Sequence, residues 1–150
     1  MTLSLFLHVL SVVVWVGGMF FAYMALRPVA ASVLEPPQRL TLWAGVFGKF
    51  FPWVWVSVAL ILLTGLHMLM VFGGMAAPHY AMTMLVLGVV MMLIFAHVFF
   101  APYGRLKRAV AAQDWKAGGA ALGQIRQLIG INLSLGLLTI AVVFLGRAFA

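Results

Sequence analysis

The sequence predicts an all-α membrane protein, a bundle of four transmembrane helices. The composition gives two reasons, since 66% of the 150 residues are hydrophobic and only 7% are charged. A soluble domain carries about 25% charged residues, and a chain of this length has too little interior to bury so many apolar side chains. The composition therefore excludes a water-soluble fold.

The third reason is the arrangement of the apolar residues in four long runs. The runs cover residues 3–26, 50–72, 80–100 and 128–146. Each is close to the roughly 20 residues with which a helix crosses the hydrocarbon core of a bilayer. We therefore expect one transmembrane domain over residues 1–150, with loops at 27–49 and 101–127.

The first run could also be a secretory signal peptide. Such a peptide has basic residues before a short apolar core, whereas the first basic residue here is Arg27, which follows the apolar run. A first transmembrane helix is therefore the favoured interpretation.

The basic residues predict the orientation of the bundle. Eight of the nine lie in the two expected loops, and Arg147 alone follows the last run. Cytoplasmic loops are enriched in Lys and Arg, so both loops are expected in the cytoplasm and both termini outside. The net charge of +7 is thereby explained by topology, and the expected partner is a lipid bilayer, with no nucleic acid.

The histidines are the informative polar residues, because an ionisable group inside a membrane needs a partner or a function. His8 and His67 are expected at similar depths below the outer surface, and His79 lies in or near the outer hairpin. His97 is expected near the cytoplasmic end of the third helix. A compact site can therefore combine the first three, but not His8 with His97.

The first helix places further residues on the face of His8. Trp15 and Gly18 follow at helical spacing, so they are candidates for cofactor contacts, although a packing seam would also explain them. Met68 offers a soft thioether that suits Cu(I) or haem iron, although methionine is also a common apolar filler. The chain has no cysteine, which excludes thiolate and iron–sulfur sites.

Three stretches resemble a known family. The chain resembles small members of the CopD (copper resistance D) family of bacterial inner-membrane proteins at residues 7–8 with 15–20, at 97–103 and at 125–132. That resemblance implies a role in copper uptake or tolerance.

The spacing from His8 to Gly18 also resembles the first helix of the HemJ-type haem proteins. That resemblance implies that His8 is a ligand of b-type haem. The chain departs from the pattern at Met24, where a basic residue is usual, and at Leu133, where an acidic one is usual.

These observations leave three functional hypotheses. The leading one is a haem b protein with a redox or electron-transfer role, which could act as a haem-dependent oxidoreductase with a quinone or periplasmic redox partner. His8 would be one axial ligand and His67 or His79 the other. The second is a copper-binding protein that uses His8, His67, His79 and nearby methionines. The third is a cofactor-free assembly or structural subunit, and glycine-rich helix faces make a homodimer plausible.

Overall fold

The fold is built from six α-helices in the part of the chain that the structure describes. The computed structural model describes residues 1–149 and, within them, contains helices and no strands. The helices are α1 (Thr2–Phe21), α2 (Arg27–Val33), α3 (Pro36–Val71), α4 (His79–Phe100), α5 (Pro102–Ala111) and α6 (Trp115–Ala148). A π-helical segment, Ala22–Leu26, makes α1 and α2 continuous, and a 3₁₀ turn, Gly74–Ala76, precedes α4.

Four helical stretches are long and apolar enough to cross a membrane. They are Thr2–Val33, Pro36–Val71, His79–Ala111 and Trp115–Ala148. α1 packs mainly against α3, while α4 and α5 pack mainly against α6. The predicted class, an all-α bundle of four transmembrane helices, is confirmed.

The helix boundaries differ from the expectation at one end of the bundle. Residues 27–49 and 101–127, expected as loops, are largely helical, and the connections are only residues 34–35, 101 and 112–114. Pro36 and Pro37 begin α3. The first backbone N–H groups of a helix have no acceptor within the helix, so proline, which has no N–H, loses no hydrogen bond there. Hydropathy indicates where the hydrocarbon ends rather than where a helix ends, so the helices are longer than the apolar runs.

Gly118 and Gly119 both lie inside α6, although glycine is typical of helix ends and turns. A Cβ on Gly118 would lie 3.1 Å from Leu40 Cδ1, so glycine allows α6 to approach α3 closely. The interior position of this glycine thus has a packing reason, which a turn interpretation misses.

The bundle has two unlike ends. We call the basic end the region formed by α2, residues 36–49, α5 and residues 115–127; it carries most of the Lys and Arg residues. At about 1.5 Å per residue, its helices continue roughly 10–20 Å beyond the apolar runs. We call the histidine end the opposite region, which contains His8, His67 and His79.

An aromatic cluster fills the interior between the apolar runs and the basic end. Phe47 stacks on Phe51 with ring centroids 4.9 Å apart, and Tyr103 meets Phe51 edge-on at 4.9 Å. Phe95 meets the same Phe51 ring at 5.3 Å. These contacts join α3, α4 and α5, and so connect the membrane-spanning part to the basic end.

Candidate functional site

A buried hydrogen bond joins α1 to α3 at the histidine end. Nδ1 of His8 lies 3.0 Å from Oγ1 of Thr64, and both side chains are buried. Ser11, one turn along the same face of α1, bonds to the carbonyl of Leu7 within its own helix. His8 is therefore tied to the neighbouring helix and does not face the lipid.

The tautomer of His8 sets the direction of this bond. The hydroxyl of Thr64 is also within hydrogen-bond distance of the carbonyl of Leu60, one turn earlier in α3. When Thr64 donates its single hydrogen to Leu60, its oxygen accepts a hydrogen from Nδ1 of His8. In that neutral tautomer the lone pair is on Nε2, the nitrogen that can then bind a metal ion.

A second polar bond lies close to the first along the same helix pair. Ser4 Oγ and His67 Nδ1 are 2.9 Å apart, and the donor in this bond depends on the histidine tautomer. Between the two bonds, Gly65 lies beneath the His8 ring, and a Cβ there would be 3.3 Å from Cε1 of His8. The structure thus brings His8 and His67 to the same helix pair, although they do not bond to each other.

The other predicted ligands are placed less favourably. Met68 is buried on the same face of α3 as Thr64, one turn further along. His79 is exposed at the first residue of α4, a helix that touches α3 only slightly. His97 is exposed near the other end of α4, about 27 Å along the helix from His79. His97 is thus remote from the remaining histidines.

No group of three or more His, Asp or Glu side chains is close enough to hold a metal ion within residues 1–149. The predicted combination of His8, His67 and His79 is therefore not assembled as one three-histidine site. A site at this end has to use fewer histidines, with other donors beside them.

Packing accounts for the two residues predicted to contact a cofactor. Trp15 is buried and meets Phe95 edge-on, with ring centroids 6.3 Å apart. A Cβ on Gly18 would come within 2.3 Å of the Phe50 ring. Both residues lie on the buried face of α1, as the spacing predicts, and both are in contact with core aromatic side chains.

An open space lies away from these residues, at the basic end. A cavity of about 420 Å³ is lined by the π-helical segment, α2, α3 and α6, and its walls reach from Ala22 to Trp115. Within residues 1–149, its lining contains no histidine or methionine, the side chains that most often ligate haem iron. Ala22 is about 21 Å along the helix from His8, so this cavity is not the haem site predicted beside His8.

Sequence reasoning missed the partners of the histidines. Ser4 and Thr64 are among the few hydroxyl residues in the apolar runs of α1 and α3. The signal was available, because Thr64 is three residues before His67 and so close to it on the surface of α3. The contacts themselves depend on the register of α1 against α3, which the sequence does not predict.

Comparison with models of protein families matches residues 44–145 to CopD, copper resistance protein D. The chain belongs to the CopD family. The matched range includes most of α3 and all of α4 and α5, and it ends within α6, so it does not include the His8 to Gly18 spacing. With its four apolar helices, this CopD-family chain is an integral membrane protein.

No curated protein and no solved structure matched the chain. The family description points to copper, in agreement with the second functional hypothesis, and gives no support to haem b or electron transfer. The resemblance to HemJ-type proteins stays a prediction.

Proposed function

We propose that this CopD-family protein binds copper at the histidine end of the bundle, in copper uptake or tolerance, with Nε2 of His8 as the principal ligand. The observation that carries the proposal is the hydrogen bond between His8 Nδ1 and Thr64 Oγ1. Metal-binding histidines commonly donate their other ring N–H to a fixed acceptor, which sets the tautomer and the ring orientation. In this proposal Thr64 donates to the carbonyl of Leu60 and is the acceptor of the His8 Nδ1 hydrogen.

The available donors suit Cu(I) better than Zn²⁺. Zinc sites use at least three protein ligands, and no such group is assembled in the part of the chain that the structure describes. Cu(I) accepts low coordination numbers and is favoured by thioether sulfur. His67 and Met68, both within about one turn of Thr64 on α3, are the proposed further ligands, and His79 could join them by movement of the hairpin.

The proposal includes an orientation. The positive-inside rule favours a bacterial inner-membrane protein with the basic end in the cytoplasm and the histidine end outside. Copper would then be bound from the outer side.

The test is to load the purified protein with Cu(I) without oxygen in detergent and to measure bound copper after desalting. We expect stoichiometric copper in the wild type and in His97→Ala, the control at the other end of α4. His8→Ala should lose it. X-ray absorption at the copper edge should show nitrogen and sulfur ligands, with the sulfur lost in Met68→Leu.

Two results would overturn the proposal. One is equal copper retention by wild type and His8→Ala. The other is a haem absorption band in the purified wild type that disappears in His8→Ala, because that would make His8 a haem ligand as first predicted.

A further inference from the structure

The cavity at the basic end is lined by four cationic side chains. They are Arg27, Arg39, Lys116 and Arg126. Glu35 and Asp114, the only acidic residues of the chain, do not line it. Asp114 is instead used to cap α6, where it accepts a hydrogen bond from the backbone of Ala117. Within residues 1–149, the lining is therefore positively charged and contains no carboxylate.

Arg27 is held in place by its own helix. Its Nε donates to the carbonyl of Tyr23 at 3.1 Å, and its guanidinium lies 4.4 Å from the centre of the Tyr23 ring. The Tyr23 ring in turn packs on α6, because a Cβ on Gly130 would be 3.0 Å from it. The terminal nitrogens of Arg27 are not needed for these contacts and can donate to a ligand.

Arg39 has an unused donor in the protein interior. One terminal nitrogen donates to the carbonyl of Leu34 at 3.2 Å, whereas Nε is buried and has no hydrogen-bond partner. A buried donor without a partner is unfavourable, and a phosphate oxygen that reached it after a rearrangement of the Arg39 side chain would satisfy it. The guanidinium is also suited to oxyanions, because it can donate two parallel bonds to a phosphate.

The cavity lies at the boundary between hydrocarbon and headgroups. Its deepest residues, Ala22 and Ile129, are inside the apolar runs, and Arg27 immediately follows the first run. Trp43 and Trp115 are among the lining residues beyond the runs, and aromatic residues of this kind are enriched at membrane interfaces. A ligand here would have its polar group among the cations and its apolar part toward the membrane.

We propose that this cavity binds the phosphate headgroup of an anionic membrane lipid. Phosphate oxygens would accept from Arg27 and Arg39, while Lys116 and Arg126, both exposed, would add attraction at the rim. The apolar floor favours a lipid over free phosphate, because acyl chains can continue from the headgroup along the helices into the bilayer. Basic pockets between transmembrane helices are suited to such headgroups.

The test is native mass spectrometry of the detergent-purified protein, titrated with phosphatidylglycerol, with phosphatidylcholine of the same chains, and with inorganic phosphate. We expect phosphatidylglycerol to bind at least about tenfold more tightly than either alternative. The cationic lining repels the choline cation of phosphatidylcholine, and inorganic phosphate has no acyl chains to bury. Equal binding of both lipids would overturn the proposal. Tighter or equal binding of inorganic phosphate would do so as well, and would identify a soluble anion as the ligand.

Two variants locate the binding. Arg39→Gln removes the buried donor, and Gly123→Leu fills the cavity from α6, where an added Cβ meets nothing within 4 Å. Each should weaken phosphatidylglycerol binding at least about tenfold. Gly123→Leu keeps every charge, so it remains decisive if Arg39→Gln does not fold.

The matched controls lie at the same end but outside the cavity. They are Arg108→Gln on α5 and Gly45→Leu on α3, where an added Cβ again meets nothing within 4 Å. Both should bind phosphatidylglycerol within about twofold of wild type. If all four variants bound phosphatidylglycerol with the same affinity, the lipid would be attracted by the surface charge in general. That result would overturn the assignment of the binding site to the cavity. Copper binding should be unchanged in each, because all lie far from His8.

Discussion

The two ends of the bundle bury different kinds of side chain. At the basic end the buried residues are apolar, and Phe47, Leu106 and Ile125 are almost completely inaccessible. At the histidine end, the buried residues of α1 and α3 include His8 and Thr64, which bond across the two helices. The same bundle therefore contains an apolar interior at one end and a polar helix contact at the other.

The solvent explains this difference. Beyond the apolar runs the helices are surrounded by water and headgroups, so burying a leucine there gains the hydrophobic effect. Within the hydrocarbon, lipid tails are as apolar as leucine, and helices associate through close packing and interhelical hydrogen bonds. We therefore expect stability to reside mainly at the basic end, which leaves the histidine end free to carry chemistry.

The largest expected effect tests this division of stability. Leu106→Ala empties a fully buried position on α5 and should lower the free energy of unfolding by about 2–5 kcal/mol. Leu63→Ala, at a position 65% exposed toward lipid, should change it by less than about 0.5 kcal/mol. Unfolding in mixed detergent and dodecyl sulfate micelles, followed by circular dichroism, measures both. Equal losses would show that stability is spread evenly.

The next effect concerns the chemistry of the histidine end. Thr64→Val removes the acceptor of His8 Nδ1 and should weaken copper binding about 10–100-fold, the usual effect of losing such a partner. Thr139→Val is the control, because its hydroxyl bonds only to its own helix at Leu135. Competition with a Cu(I) chelator gives the affinities. An unchanged affinity in Thr64→Val would mean that the bond serves packing alone.

A pair of neighbouring glycines tests close helix packing between the two ends. Gly18→Ala introduces a Cβ within 2.3 Å of the Phe50 ring and should cost about 1–3 kcal/mol of stability. Gly17→Ala, one residue earlier, meets nothing within 4 Å and should be neutral. The same unfolding assay applies. If Gly18→Ala were equally neutral while copper binding fell, Gly18 would belong to the site, as the sequence predicts.

The smallest effect tests whether helix starts at the basic end behave as they do in water. Asp114→Ala removes the side-chain cap of α6 and should cost about 0.5–1 kcal/mol. Glu35→Ala is the counterpart at the start of α3, where the side chain makes no cap bond, and should be nearly neutral. The difference between the free energies of unfolding of the two variants measures how much the Asp114 cap stabilises the protein. A larger loss for Glu35→Ala would contradict this interpretation.

Much of the fold could be predicted because membrane insertion is read from local composition. The four apolar runs predict the four spans, and the spacing of Trp15 and Gly18 predicts the buried face of α1. The helices beyond the runs could not be predicted in this way, since hydropathy does not distinguish a polar helix from a loop. Gly118 shows the same limit, because its role depends on Leu40 of another helix.

The candidate site was only partly predictable. The approximate depth of His8 and His67 follows from counting residues along straight helices, and so does the separation of His97. Their partners, Thr64 and Ser4, depend on how α1 is rotated and shifted against α3, which no local pattern records. The cationic cavity was hidden for the same reason, because its arginines and lysine come from three separate parts of the chain.

The sequence by itself determined the membrane class, the four spans and the gathering of positive charge at one end, because each follows from the cost of placing polar groups in hydrocarbon. Only the tertiary structure decided that His8 bonds to Thr64 of another helix and that Arg39 has an unpaired donor beside a cavity. Both depend on contacts between distant residues, where tenths of an ångström decide whether a hydrogen bond forms.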